Sequence, residues 1–130
     1  DLIAAVASVS GTMLNCTGPT SHPMPVVHLH GTSDAVVSYN GSNDWNSVQS
    51  TLDYWTSFNN TISTPTINTD NTGGMTIEHY SFEQGDNSVS VEHYKYIGGD
   101  HVWFNEPYQG QNASELVWNF MSKYDINGLR

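Results

Sequence analysis

The sequence predicts an α/β domain: a mostly parallel sheet with an antiparallel edge hairpin and flanking helices. Two observations carry that expectation. Short apolar runs closed by Gly or Pro are too brief for helices and fit buried strands, and two other segments repeat their apolar residues at spacings of three and four. The first run is Ile3 to Val9, closed by Ser10 and Gly11, which reads as a strand buried on both faces. Residues 15–25 hold Gly18, Pro19, Pro23 and Pro25 and read as a connection. Pro25 then opens the second strand, Val26-Val27-His28-Leu29-His30, ended by Gly31.

Trp45, Val48, Leu52 and Trp55 follow at helical spacing, with Ser42 or Asn43 as the expected N-cap. Asn59 to Gly74 is polar, Thr-rich and unperiodic, and reads as loop. Met75 to Phe82 and Ser88 to Ile97 are rich in Val, Ile, Tyr and Phe, and Glu83 to Asn87 joins them as a hairpin. A second helix starts at Asn112, whose side chain and Glu115 make a capping box. It carries Leu116, Val117, Phe120, Met121 and Tyr124 on one face and ends near Asp125, before Gly128. No repeat or linker divides the chain, so residues 1–130 are read as a single domain.

The chain has 130 residues, of which 37 % are hydrophobic, enough for one modest core and too few for two domains. No apolar run approaches the roughly 20 residues that cross a bilayer. Three Lys plus Arg against thirteen Asp plus Glu give a formal charge of -10, which repels a phosphate backbone, so neither nucleic acid nor membrane is an expected partner. Polarity comes mainly from Asn, Ser and Thr, a surface that suits a secreted or a cold-adapted protein, and the expected location is secreted, extracellular or periplasmic. Cys16 is the only cysteine; it pairs with a thiol outside these residues or serves as a small buried hydrophobe. Four Asn-x-Ser/Thr sequons begin at Asn15, Asn40, Asn59 and Asn112, a number that this composition produces by chance.

Ionisable residues stand just past two predicted strands: His28-Leu29-His30-Gly31-Thr32-Ser33-Asp34 and Gly98-Gly99-Asp100-His101. In an open α/β sheet, loops converge over that rim and ligands bind there. A carboxylate accepting from one imidazole nitrogen fixes the tautomer and leaves the other nitrogen free to take a proton. Asp34 can orient in this way and His101 can act, with glycines 31, 98 and 99 allowing the sharp turns that bring both over one crevice.

The stretch Pro25-Val26-Val27-His28-Leu29-His30-Gly31-Thr32-Ser33-Asp34-Ala35-Val36-Val37-Ser38-Tyr39 resembles the segment bearing the triad Asp in the α/β-hydrolase esterases grouped with poly(3-hydroxybutyrate) depolymerases and feruloyl or acetylxylan esterases. Gly98-Gly99-Asp100-His101-Val102-Trp103 resembles that family's Gly-Gly-Gly-His-Thr-Trp, and Asp1 to Gly11 is similar to the strand that precedes both. The resemblance implies the C-terminal part of an α/β-hydrolase fold, in a secreted carboxylester hydrolase acting on polyester or on acyl groups of plant polysaccharides. It implies Asp34 and His101 as catalytic acid and base, no cofactor, and Trp103 near the substrate, either walling the acyl site or packing under its loop. The family's nucleophile sits in a Gly-x-Ser-x-Gly turn upstream, which is not found in this sequence. Ser8 and Ser10 lack its glycines. The chain is therefore expected to begin within a fold, to lack the nucleophile and oxyanion hole, and to be inactive alone. Two positions depart from the pattern: Ser38 stands where Pro is usual, and Asp100 replaces a glycine and could compete with Asp34 for the imidazole.

Two rival readings come from the residues. His28 and His30 point to one face of a strand and could begin a metal site with Asp34 or His22, although their spacing departs from the His-x-His-x-Asp-His of metallo-β-lactamase-like hydrolases. Alternatively Trp45, Trp103 and Tyr108, if exposed, could stack on sugar rings in a non-catalytic binding domain. In the esterase reading His30 is structural, bonding the loop that bears Asp34. If half a sheet is absent, strand one exposes an edge through which a homodimer could form.

Overall fold

The computed structural model describes residues 2–14 and 21–130; Cys16 and the Asn15 sequon lie outside them. In chain order the elements are β1 (Val6–Val9), β2 (Val26–Gly31), α1 (Val48–Phe58), β3 (Thr66–Asp70), β4 (Ile77–Phe82), β5 (Val91–Tyr96), α2 (Ala113–Met121), β6 (Tyr124–Asp125) and β7 (Gly128–Leu129). Five strands form one sheet in the order β1-β2-β5-β4-β3, and β6 pairs with β7 in a separate small hairpin.

This architecture corrects the expected one. The β1/β2 and β2/β5 pairings are parallel, but β5/β4 and β4/β3 are antiparallel, so the sheet is mixed. With only two helices among the described residues, the protein is not a helix-flanked, mostly parallel α/β-hydrolase sheet. The difference originates largely in Asn59 to Gly74, which was expected to be loop. Thr66 to Asp70 instead forms the outer strand β3, four of whose five residues are exposed, so it shows no apolar face that sequence could reveal. Its ladder with β4 makes the hairpin two antiparallel pairings deep.

The strand at the other edge also differs from expectation. It begins at Val6 and not Ile3, and all four residues are half-buried, because only β2 flanks it. Leu2 and Ile3 are exposed. In contrast β2 is buried at every residue, as the centre of a sheet requires. Its alternate side chains serve two cores. Val27 and Leu29 join Tyr96, Phe104, Leu116 and Phe120 on the α2 side, while Val26 joins Val48, Leu52, Phe82 and Val91 on the α1 side.

Helix α1 starts later than expected. Ser47 is its N-cap, accepting from the Ser50 amide, while Ser42 caps a local turn by accepting from the Asp44 amide. Val48 and Leu52 are buried, and Trp55 packs half-buried beside them. Just past this helix, buried Asn59 accepts from the Met24 amide and donates to the Met24 carbonyl, both at 2.7 Å, which ties α1 to the entry of β2. The predicted capping box of Asn112 and Glu115 is present in α2, which ends at Met121 and leaves Tyr124 to β6. No helix among the described residues is long and apolar enough to cross a membrane.

Candidate functional site

The two motif loops leave adjacent parallel strands, β2 and β5, and their backbones interlock. The Thr32 amide donates to Tyr96 O, the Ser33 amide to Gly99 O at 2.9 Å, and the Gly98 amide to the Thr32 hydroxyl at 2.7 Å. Gly31 passes so close to Gly99 that a Cβ there would stand 2.1 Å from the Gly99 carbonyl oxygen, so the glycine is required by contact rather than by φ. Gly98 is needed for a different reason, its φ of +78°.

This interlock brings Asp34 and His101 together. His101 Nδ1 lies 3.0 Å from Asp34 Oδ2; the Asp34 side chain is wholly buried and that of His101 is 40 % exposed. A carboxylate only accepts, so Nδ1 carries the proton and Nε2 of the neutral ring offers its lone pair. The other carboxylate oxygen, Oδ1, accepts from the amides of Val36 and Val37 at 2.9 and 2.8 Å, closing a tight turn around the acid. Burial alone would raise the Asp34 pKa, but the Val37 and Val36 amides and the His101 contact together hold it below the ordinary carboxylate value. Asp100 is exposed and makes no contact with His101 among the described residues.

His30 completes the arrangement from beneath. Its Nε2 donates to Val37 O at 2.8 Å and lies 3.3 Å from Asp34 Oδ2, so the Asp34 carboxylate sits between two imidazoles. His28 stacks on His30 at 5.3 Å and on its other flank meets His93 of β5 at 5.4 Å. All three rings are buried. His28 Nε2 donates to Gly11 O, and His93 donates from Nδ1 to His28 O while its Nε2 accepts from the Tyr39 hydroxyl. His28 and His93 are bonded as neutral imidazoles, although the Nδ1 atoms of His28 and His30 find no hydrogen-bond partner among the described residues. Burial drives the His28 pKa down to about 4 and that of His93 well below the ordinary histidine value.

The metal arrangement suggested by His28 and His30 is not formed. Their donating nitrogens point at backbone carbonyls, and no group of three His, Cys, Asp or Glu side chains among the described residues is placed to hold an ion. The proposed stacking residues are scattered. Trp103 is 55 % exposed with Nε1 donating to Ser114 of α2, Trp45 is half-buried, and Tyr108 is buried. Val36, two residues after Asp34, and Val102, next to His101, are exposed as well.

Neither serine of the first strand bonds to His101. Ser8 donates to Gly11 O, and Ser10 donates to Val102 O at 2.9 Å, bracing the loop just after His101. Ser10 holds a φ of +58°, a left-handed conformation at a strand end that nothing in its type announces. His93 and Tyr39 also gave no signal, since a lone histidine in a strand and a tyrosine in a loop carry no spacing of their own. No protein-family model matches the chain, and no curated protein matches it.

Proposed function

We propose that Asp34 and His101 are the acid and base of a carboxylester hydrolase of the Ser-His-Asp type, with the nucleophilic serine supplied by a segment outside these residues. The observation that carries this reading is the 3.0 Å contact between His101 Nδ1 and the buried Asp34 carboxylate, on a ring whose other nitrogen has no partner among the described residues. In this mechanism Nε2 takes the serine proton as the oxygen attacks the ester carbonyl, then returns it to the leaving alcohol. Water repeats the cycle on the acyl-serine. Asp34 holds the tautomer and stabilises the imidazolium. Exposed apolar side chains on the two loops, Val36, Val102 and Trp103, suit an acyl group, and the likeness of both loops to polyester and feruloyl or acetylxylan esterase segments supports the class of bond.

Turnover of p-nitrophenyl acetate tests the reading. The 130-residue chain is expected to show none above the buffer rate. Joined to the serine-bearing segment of its natural gene, it is expected to turn over and to lose about 10³-fold or more in His101→Ala. Turnover by the chain alone that disappears in His101→Ala overturns the external serine. A joined protein indifferent to His101→Ala overturns the ester reading itself.

A further inference from the structure

On the face of the sheet opposite α1, a cavity of about 350 Å3 opens between β3, β4, β5, the 108–111 turn and α2. Its floor is built. His79 Nε2 bonds Glu92 Oε1, the His79 ring lies flat on Tyr94 at 4.3 Å, and Tyr108 meets both rings edge-on. Glu92 is held in turn from below by the Ser90 hydroxyl, which also bonds Tyr124.

The walls present four carboxamides, from Asn68, Gln109, Gln111 and Asn119. None of these side chains makes a hydrogen bond with the described residues, and neither do the hydroxyls of Tyr94 and Tyr108 or the ammonium of Lys123. In the larger groove on the α1 side several polar groups are already bound to neighbours: Tyr39 to His93, Gln49 to Asp53, and both Tyr80 and Lys95 to Glu78. A pocket that gathers uncommitted groups over an aromatic floor is organised for a ligand with its own donors and acceptors.

A primary carboxamide is a planar donor beside an acceptor, and a hydroxyl-bearing ring satisfies both at once. The single carboxylate on the floor is already held by a histidine, and the one other charge, the Lys123 ammonium, belongs to a solvent-exposed side chain, so the floor itself offers no unpaired charge to select an ion. The volume lies at the small end of the range for ligand sites. From these features we infer that the pocket between α2 and the sheet binds one neutral sugar ring, independently of the Asp34–His101 crevice.

Titration of the isotope-labelled chain with D-xylose, D-glucose and D-galactose, followed by NMR of the side-chain amides, tests this. At least one sugar is expected to shift the amides of Asn68, Gln111 and Asn119 together and saturably, with a millimolar dissociation constant. Asn119→Ala and Gln111→Ala, neither in the buried core, are each expected to weaken binding about fivefold. His101→Ala is expected to leave it unchanged. Three results overturn the inference: no saturable shift with any sugar, saturation that both amide variants leave intact, or shifts that centre on Trp103 and vanish with His101→Ala. Absence of ester turnover in a protein that still binds sugar here counts against the catalytic proposal only.

Discussion

Acidification from pH 6.5 to about 4 is expected to remove about 3 kcal/mol of stability through His28 alone. The ring is neutral and buried in the native state, where its pKa falls from 6.5 to about 4, whereas in the unfolded chain it keeps the ordinary value. The unfolded state therefore takes up the proton first. This stability is fully present above pH 6.5, falls as pH drops through that window, and is gone once the native ring also protonates. His93 pushes in the same direction, since its pKa too is lowered by burial and by the neighbouring His28. Asp34 acts in a second, lower window: its pKa lies below the ordinary 3.8, so its contribution persists until the pH falls below that value. Urea midpoints measured across this range check the expectation. His28→Gln can still donate to the Gly11 carbonyl but has nothing to protonate, so the upper part of the loss is expected to flatten in that variant. A midpoint that does not change down to pH 4 contradicts the buried neutral cluster.

Gly31→Ala is expected to cost about 3 kcal/mol and to separate Asp34 from His101. The added methyl would stand 2.1 Å from the Gly99 carbonyl oxygen and 2.4 Å from its carbon. Both belong to backbone that also accepts the Ser33 amide, so relief requires moving one motif loop off the other. Gly98→Ala is the informative comparison. Its Cβ meets nothing within 4 Å, so it carries only the strain of a φ of +78°, about 1 kcal/mol. Stability measured by urea unfolding, with the His101 ring resonances followed by NMR, checks both. Equal, small effects at the two glycines would contradict the interlock.

Much of this site could be read in advance because its chemistry sits at strand ends that punctuation marks clearly. Gly31 and Gly98-Gly99 close two β runs, and Asp34 follows the first and His101 the second at short distance. The fold was less accessible. Helix α2 announced its start through Asn112 and Glu115, since a capping box is a local signal, whereas α1 begins at Val48 behind its cap Ser47, and the Ser42–Asp44 turn upstream looks like a cap in sequence. Strand β3 was invisible for a physical reason: Thr66-Ile67-Asn68-Thr69-Asp70 faces solvent almost throughout, so its pairing with β4, and not apolar alternation, makes it a strand. That one element added a second antiparallel pairing to the single edge hairpin expected on a mostly parallel sheet, and only two helices are present among the described residues where a helix-flanked sheet was expected. The supporting histidines were half legible. The spacing of His28 and His30 placed them on one face, but the carbonyls that hold them, of Gly11 and Val37, come from loops that carry no pattern of their own.

His101 is held by Asp34 with its outer nitrogen free of partners among the described residues, and nitrogen NMR of the imidazole tests this most directly. The prediction is a neutral ring protonated at Nδ1 with the lone pair at Nε2, and loss of that preference in Asp34→Ala. A ring protonated at Nε2, or a tautomer that Asp34→Ala leaves unchanged, would contradict the pairing on which the proposed chemistry depends.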